Sequence, residues 1–137
     1  MWKQLIYTIL FIVIIVTVCT PGTNWSASAI TVGGVTGVNG STATLLTYTN
    51  DVAIDIYNDI YVADADNQRI QRFPANSSVA QTVAGTGSAG SGFNQLSFPR
   101  TIFVLGDVLY ISDLYNYRIE RYSYNAPSGT TVAGGNY

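Results

Sequence analysis

The chain has 137 residues, with ten tyrosines, one cysteine and no histidine. Without histidine there is no Ser-His-Asp triad, no ordinary zinc site and no imidazole base, and a lone cysteine cannot form a disulfide within the chain. Six basic against eight acidic side chains give a formal charge of −2, which argues against nucleic acid as a partner, because that affinity rests on neutralising phosphates with Lys and Arg.

Lys3 precedes a run from Leu5 to Val18 that is almost wholly apolar, and Ala27-Ser28-Ala29 offers small residues further on. A basic start, an apolar region of 14 residues and a small-residue site are the three parts of a secretory signal. The competing reading is an uncleaved signal-anchor helix, although a spanning helix needs about 20 apolar residues. Lipidation of Cys19 is disfavoured because Val16-Thr17-Val18-Cys19 puts a bulky Val where a small residue is expected before a lipidated Cys. Residues 1–29 are therefore read as signal peptide or signal-anchor and residues 30–137 as the folded segment, which holds five Arg, no Lys and eight acids. Contact with a membrane is expected only through an uncleaved N-terminal segment.

Beyond the signal, two sequons, Asn39-Gly40-Ser41 and Asn76-Ser77-Ser78, fall in polar stretches. Asn39 and Asn76 are candidate glycosylation sites in a eukaryotic secretory route, or simply turn residues. The chain is expected to be secreted or displayed at the cell surface.

Internal repetition is the most informative feature. Ile60–Phe73 matches Leu109–Tyr122 at a shift of 49 residues, which carries Asp64 to Asp113, Asn67 to Asn116, Arg69 to Arg118 and Ile70 to Ile119. The same shift moves Thr82-Val83-Ala84-Gly85 onto Thr131-Val132-Ala133-Gly134, and Thr31-Val32-Gly33-Gly34 resembles both. Alternating apolar residues bounded by Gly, Asn, Asp and Pro predict four strands per period. These are 52–56, 60–64, 68–73 and 81–84, then 101–105, 108–112, 117–122 and 130–133. No stretch past Ala29 has a trustworthy helical spacing.

Four short strands in a period of roughly 40 to 50 residues is the sequence form of a propeller blade. The pattern Ile60-Tyr61-Val62-Ala63-Asp64, then Asn67, Arg69-Ile70 and Arg72-Phe73, resembles the NHL repeat. The second copy keeps the Asp, Asn, Arg and Ile positions, while Gln68 and Tyr117 stand where the family often has His. The resemblance implies an all-β fold: two four-stranded NHL-type blades and an outer strand, an incomplete propeller after the N-terminal hydrophobic segment. Because propellers close with about 4 to 8 blades, it also implies either further blades missing from a truncated product or self-assembly of several copies.

Asp64 and Arg69 flank a hairpin turn and are expected to bridge it, with Asn67 taking left-handed backbone inside the turn; Asp113, Asn116 and Arg118 repeat the device. Ile70 and Ile119 are read as packing residues. The alternative is that carboxylate and guanidinium grip a ligand. Asp64 and Asp66 lack the surroundings of a calcium loop. Gly85 to Gly92 lacks the lysine and helix of a phosphate loop and is read as the connection between repeats.

In an up-and-down blade, residues 64–68, 85–98 and 113–117 share one surface. Asp66, Phe93, Tyr115 and Tyr117 are its candidate binding residues, unless Phe93 and Tyr117 pack between blades. The expectation is a non-catalytic extracellular scaffold for a protein or glycan partner, with no cofactor and no metal. The alternatives are an RNA-binding or ubiquitin-ligase-associated propeller, as in cytoplasmic NHL proteins, and a propeller hydrolase or lyase. Related propeller enzymes such as the peptide-amidating lyases use His-held metal, which this chain cannot supply.

Overall fold

A computed structural model of the chain describes residues 28–135. The expected signal or anchor helix lies, up to residue 27, outside the described residues. Among the described residues no helix is long and apolar enough to cross a membrane.

Eight strands form in two sheets. β1 (Thr49–Ile54), β2 (Ile60–Asp64), β3 (Arg69–Phe73) and β4 (Gln81–Ala84) make the first, in the spatial order of the chain, and every pairing is antiparallel. β5 (Pro99–Leu105), β6 (Val108–Asp113), β7 (Arg118–Ser123) and β8 (Thr130–Gly134) make the second in the same way. The only helical element described is one 3₁₀ turn over Leu114–Asn116. The fold is thus all-β, as the alternation predicts. Pro99 opens β5, where its missing N–H is tolerated.

Several boundaries differ from the sequence reading, each for a local reason. The first strand runs three residues earlier and ends at Ile54, because the Asp55 carboxylate accepts the N–H groups of Tyr57 and Asp59 and folds 55–59 into a turn. Gln68 and Tyr117 are not strand residues: both have left-handed backbone, at φ 53° and 51°. They, rather than Asn67 and Asn116, supply the turn conformation. Thr31–Gly34 forms no outer strand.

The two sheets repeat each other with a change of phase. Val62 and Ile111 are related by 49 residues, but their cross-strand partners Val52 and Ile102 by 50. The difference arises in the first hairpin of each sheet, where five residues separate the Ile54–Ile60 pair and four separate Val104–Leu109. In the second sheet this turn is opened by Gly106 at φ 55°.

From Thr31 onward the chain forms one compact unit, and its main core lies between the sheets. Tyr61, Ala63, Ile70 and Ala84 of the first sheet meet Leu96, Ile102, Leu109, Ile111 and Tyr122. Ile70, Leu96 and Ile111 are completely buried, and each contributes about 1.5–3 kcal/mol by leaving water. A second cluster, Val62, Phe73 and Ala80 with Leu46 and Ile60, forms on the other side of the first sheet. Gly33 sits on the Phe73 ring with no room for a Cβ.

Candidate binding site

The repeated Asp, Asn and Arg build a clasp that fixes the loop before each first strand. Asp64 accepts the Thr47 N–H at 2.7 Å, both carboxylate oxygens accept from the Asn67 amide, and Oδ2 accepts from Arg69 Nε at 2.8 Å. Asn67 also donates to Gly40 O, while the Arg69 guanidinium donates to the carbonyls of Ser41, Thr42 and Leu45. In the second sheet Asp113 accepts from Ser97 N, Asn116 and Arg118, Asn116 donates to Gly90 O, and Arg118 donates to the carbonyls of Ser91, Gly92 and Gln95. Asp64 and Asp113 are fully buried and both arginines nearly so. These groups make their hydrogen bonds with one another and with loop backbone, so the work the geometry shows is to hold loops. Ile70 is buried between the sheets, whereas Ile119 lies half-buried on the uncovered side of the second.

The clasps bring together most of the segments expected to share a surface. The Phe98 N–H donates to Gln68 Oε1 at 2.6 Å, Tyr115 N–H to Ser97 O at 3.1 Å and Ala65 N–H to Tyr48 O at 3.3 Å. The result is a row of three rings. Phe98 lies between Tyr48, at 5.7 Å and tilted 42°, and Tyr115, at 5.1 Å and stacked within 27°. Tyr48 and Tyr115 are 66% and 61% exposed, so the row sits in water instead of core. Asp66, also exposed, follows Ala65 beside Tyr48 and accepts from the Gln68 amide through its carbonyl.

Two of these rings stand on strained backbone. Tyr48 and Phe98 have φ of 51° and 57°, a region that costs a bulky residue about 1–2 kcal/mol. Glycine would remove the strain at both positions, and at Tyr48 the strain coincides with a ring left largely in water, which marks the row as a candidate contact surface. No protein-family model matches the chain, and no curated protein matches it. The site is therefore argued from its own geometry.

Sequence reading named Tyr115 but missed Tyr48 and Phe98. The available signal was the shift of 50 that aligns Gly40-Ser41, Leu46 and Thr47-Tyr48 with Gly90-Ser91, Leu96 and Ser97-Phe98. Tyr117 ends the 3₁₀ turn with its N–H on Leu114 O, and its side chain is 68% exposed. Phe93 stands apart from the row: its carbonyl accepts from Gly129 N–H and the Tyr122 hydroxyl, toward the turn before β8. Its ring is 69% exposed, so neither Phe93 nor Tyr117 is packed away between the sheets. Asn39 and Asn76 are both exposed.

A concavity, which sequence reading did not anticipate, opens at the opposite end of the strands. It is a cleft of about 480 Å³ bordered by Asp55, Tyr57, Tyr61, Arg72, Asp107 and Tyr124. Arg72 is bridged to Asp59 and lies 5.4 Å from the centre of the Tyr124 ring. The Ala75 N–H and the Arg72 guanidinium hold the Asp59 carboxyl below its usual range despite burial. Burial and the neighbouring Asp55 carboxylate push the Tyr61 hydroxyl up to about 12.

Proposed function

We propose that the folded segment is two adjacent blades of an NHL-type β-propeller and serves as a non-catalytic extracellular scaffold that engages a protein or glycan through the Tyr48–Phe98–Tyr115 row. The two consecutive four-stranded sheets, the Asp-Asn-Arg clasp at the same place in both and the face-to-face core support the blade reading. The signal-like start and the exposed sequons Asn39 and Asn76 support an extracellular setting. One observation carries the site: three contiguous rings, the outer two largely exposed, of which Tyr48 and Phe98 stand on backbone that glycine would suit better. Aromatic side chains give large contact area at low entropic cost and dominate binding energetics when a partner desolvates them.

The test is retention of the full chain on immobilised extracellular-matrix protein and on a glycan panel. Replacing Tyr48 and Tyr115 together by Ala weakens the retained interaction by more than about tenfold. The matched replacement of Tyr57 and Tyr124, at the far end, leaves it within about twofold. Equal losses from the two pairs, with folding intact by circular dichroism, defeat this reading.

A further inference from the structure

The outer faces of the two sheets carry the same apolar pattern as the two halves of the contact between them. Ile102 is 8% exposed because the first sheet lies over it; Val52, its counterpart at a shift of 50, is 59% exposed because no sheet among the described residues lies over it. Val52 and Ile54 lie on the same side as Val62 and Ile60, their cross-strand partners, away from the main core. On the second sheet, Phe103 and Leu105 pair with Tyr110 and Val108 on the side opposite Ile102 and Ile111, and both are 60% exposed. Their counterparts on the first sheet, Ala53 and Asp55, are half-buried, with Ala53 packed against the main core.

We infer that these faces are the two halves of one interface and that the occupant of each is a second copy of this chain, stacked head to tail. The Val52 side of one copy meets the Phe103 side of the next, as Ile102 meets the first sheet within the chain. Side-chain size supports the match. The ring that Phe103 adds over Ala53 faces a surface trimmed elsewhere, with Val52 in place of Ile102 and Val62 in place of Ile111. Cores accept such exchanges when total volume is kept.

The polar links are not repeated. Within the chain Asn50 donates to Pro99 O and Asp51 accepts the Ile102 N–H, but Arg100 and Thr101 occupy their places on the second sheet. Nor is a bond required at the far side, since the Val52 N–H is already taken by Asp51 Oδ1. The contact between copies is thus mainly apolar, and association rises with concentration. The two faces differ, so the contact is heterologous and its products are rings or filaments rather than symmetric pairs.

This inference stands apart from the ligand of the aromatic row, which uses neither face. The test measures particle mass of the full chain by light scattering, in a mild detergent so that the Leu5–Val18 run does not itself join chains. The unaltered chain exceeds one-chain mass. Val52→Lys and Phe103→Glu each block one face and are single chains alone. Mixed in equal amounts they double in mass to two chains and grow no further, because one intact face of each kind remains. Ile54→Lys with Leu105→Glu repeats the experiment if either first variant loses its β-sheet circular dichroism. A mixture that stays at one-chain mass, a single-chain unaltered protein at about 100 µM, or pairing of Val52→Lys with itself overturns the inference.

Discussion

Asp113 Oδ2 lies 2.8 Å from Arg118 Nε, the same separation at which Asp64 Oδ2 meets Arg69 Nε in the first sheet. In both, the carboxylate also holds a backbone N–H, of Thr47 or Ser97, just before the first strand of its own sheet, and the guanidinium holds three carbonyls of the loop leading into that strand. One pair of charges therefore fixes a hairpin and a loop together. Buried opposite charges are weak evidence for net stability, but breaking one side leaves the other unpaired and costs several kcal/mol.

Arg118→Lys tests this geometry without changing charge. A lysine ammonium presents three donors from one point, so it cannot reach Asp113 and the carbonyls of Ser91, Gly92 and Gln95 at once. The expected loss is about 2–4 kcal/mol by urea unfolding, from two or more charge-assisted hydrogen bonds. A loss under about 1 kcal/mol would mean that charge alone suffices.

Gly85 and Gly134 carry the second prediction. Both have positive φ, at 83° and 74°. A Cβ there would stand 2.2 Å from Gln68 O in one case and 2.1 Å from Tyr117 O in the other. Because the obstructing atom is backbone at a left-handed residue, the hairpin itself must shift. Gly134→Ala is expected to cost about 2–3 kcal/mol, whereas Gly37→Ala, with open space around it, costs about 1 kcal/mol from φ alone. Thermal unfolding of the two variants side by side checks the ordering.

How far the sequence disclosed this architecture depended on residue chemistry. Asp64, Asn67 and Arg69 were legible because a charge-assisted turn needs those side chains at those spacings, and short apolar runs such as Ile60–Ala63, bounded by turn residues, located the strands. The loop partners Ser41, Thr42 and Leu45 were not legible, since they offer backbone carbonyls that any residue could supply. Tyr48 and Phe98 were hidden for another reason: a one-residue difference between the hairpins moves the correct shift from 49 to 50 upstream. The cleft beside Arg72 and Tyr124 joins turns that are distant in sequence, and no local pattern announces it.

Glu120 makes a third test. It is completely buried, its Oε1 accepts from the Thr131 hydroxyl and lies 3.1 Å from Arg118 Nε, and its Oε2 has no hydrogen-bond partner. Gln71, its counterpart in the first sheet, is equally buried and accepts from Thr82. Glu120→Gln removes a buried charge while Arg118 keeps Asp113, so stability is expected to rise by roughly 1 kcal/mol. Urea midpoints compare the two proteins, and a drop of 1 kcal/mol or more would show that Arg118 needs both carboxylates.

The final prediction concerns alkaline pH. Tyr61 is held protonated up to about 12, first by burial and then by the Asp55 carboxylate that accepts its hydroxyl proton at 3.2 Å. Burial and Glu120 also raise Tyr122. A raised folded value means that the tyrosines contribute full stability below pH 10, their ordinary value, and lose it as pH climbs, because the unfolded chain ionises first. Stability therefore falls between pH 10 and about 12, the window in which Tyr61 is neutral only when folded. Ultraviolet titration follows phenolate formation directly: the exposed tyrosines ionise first, and Tyr61→Phe removes a late component. At neutral pH that variant also frees Asp55 of one donor. Its pH slope between 10 and 12, compared with the parent's, separates ionisation of Tyr61 from the lost hydrogen bond. An unchanged slope would mean that other groups open the core in alkali.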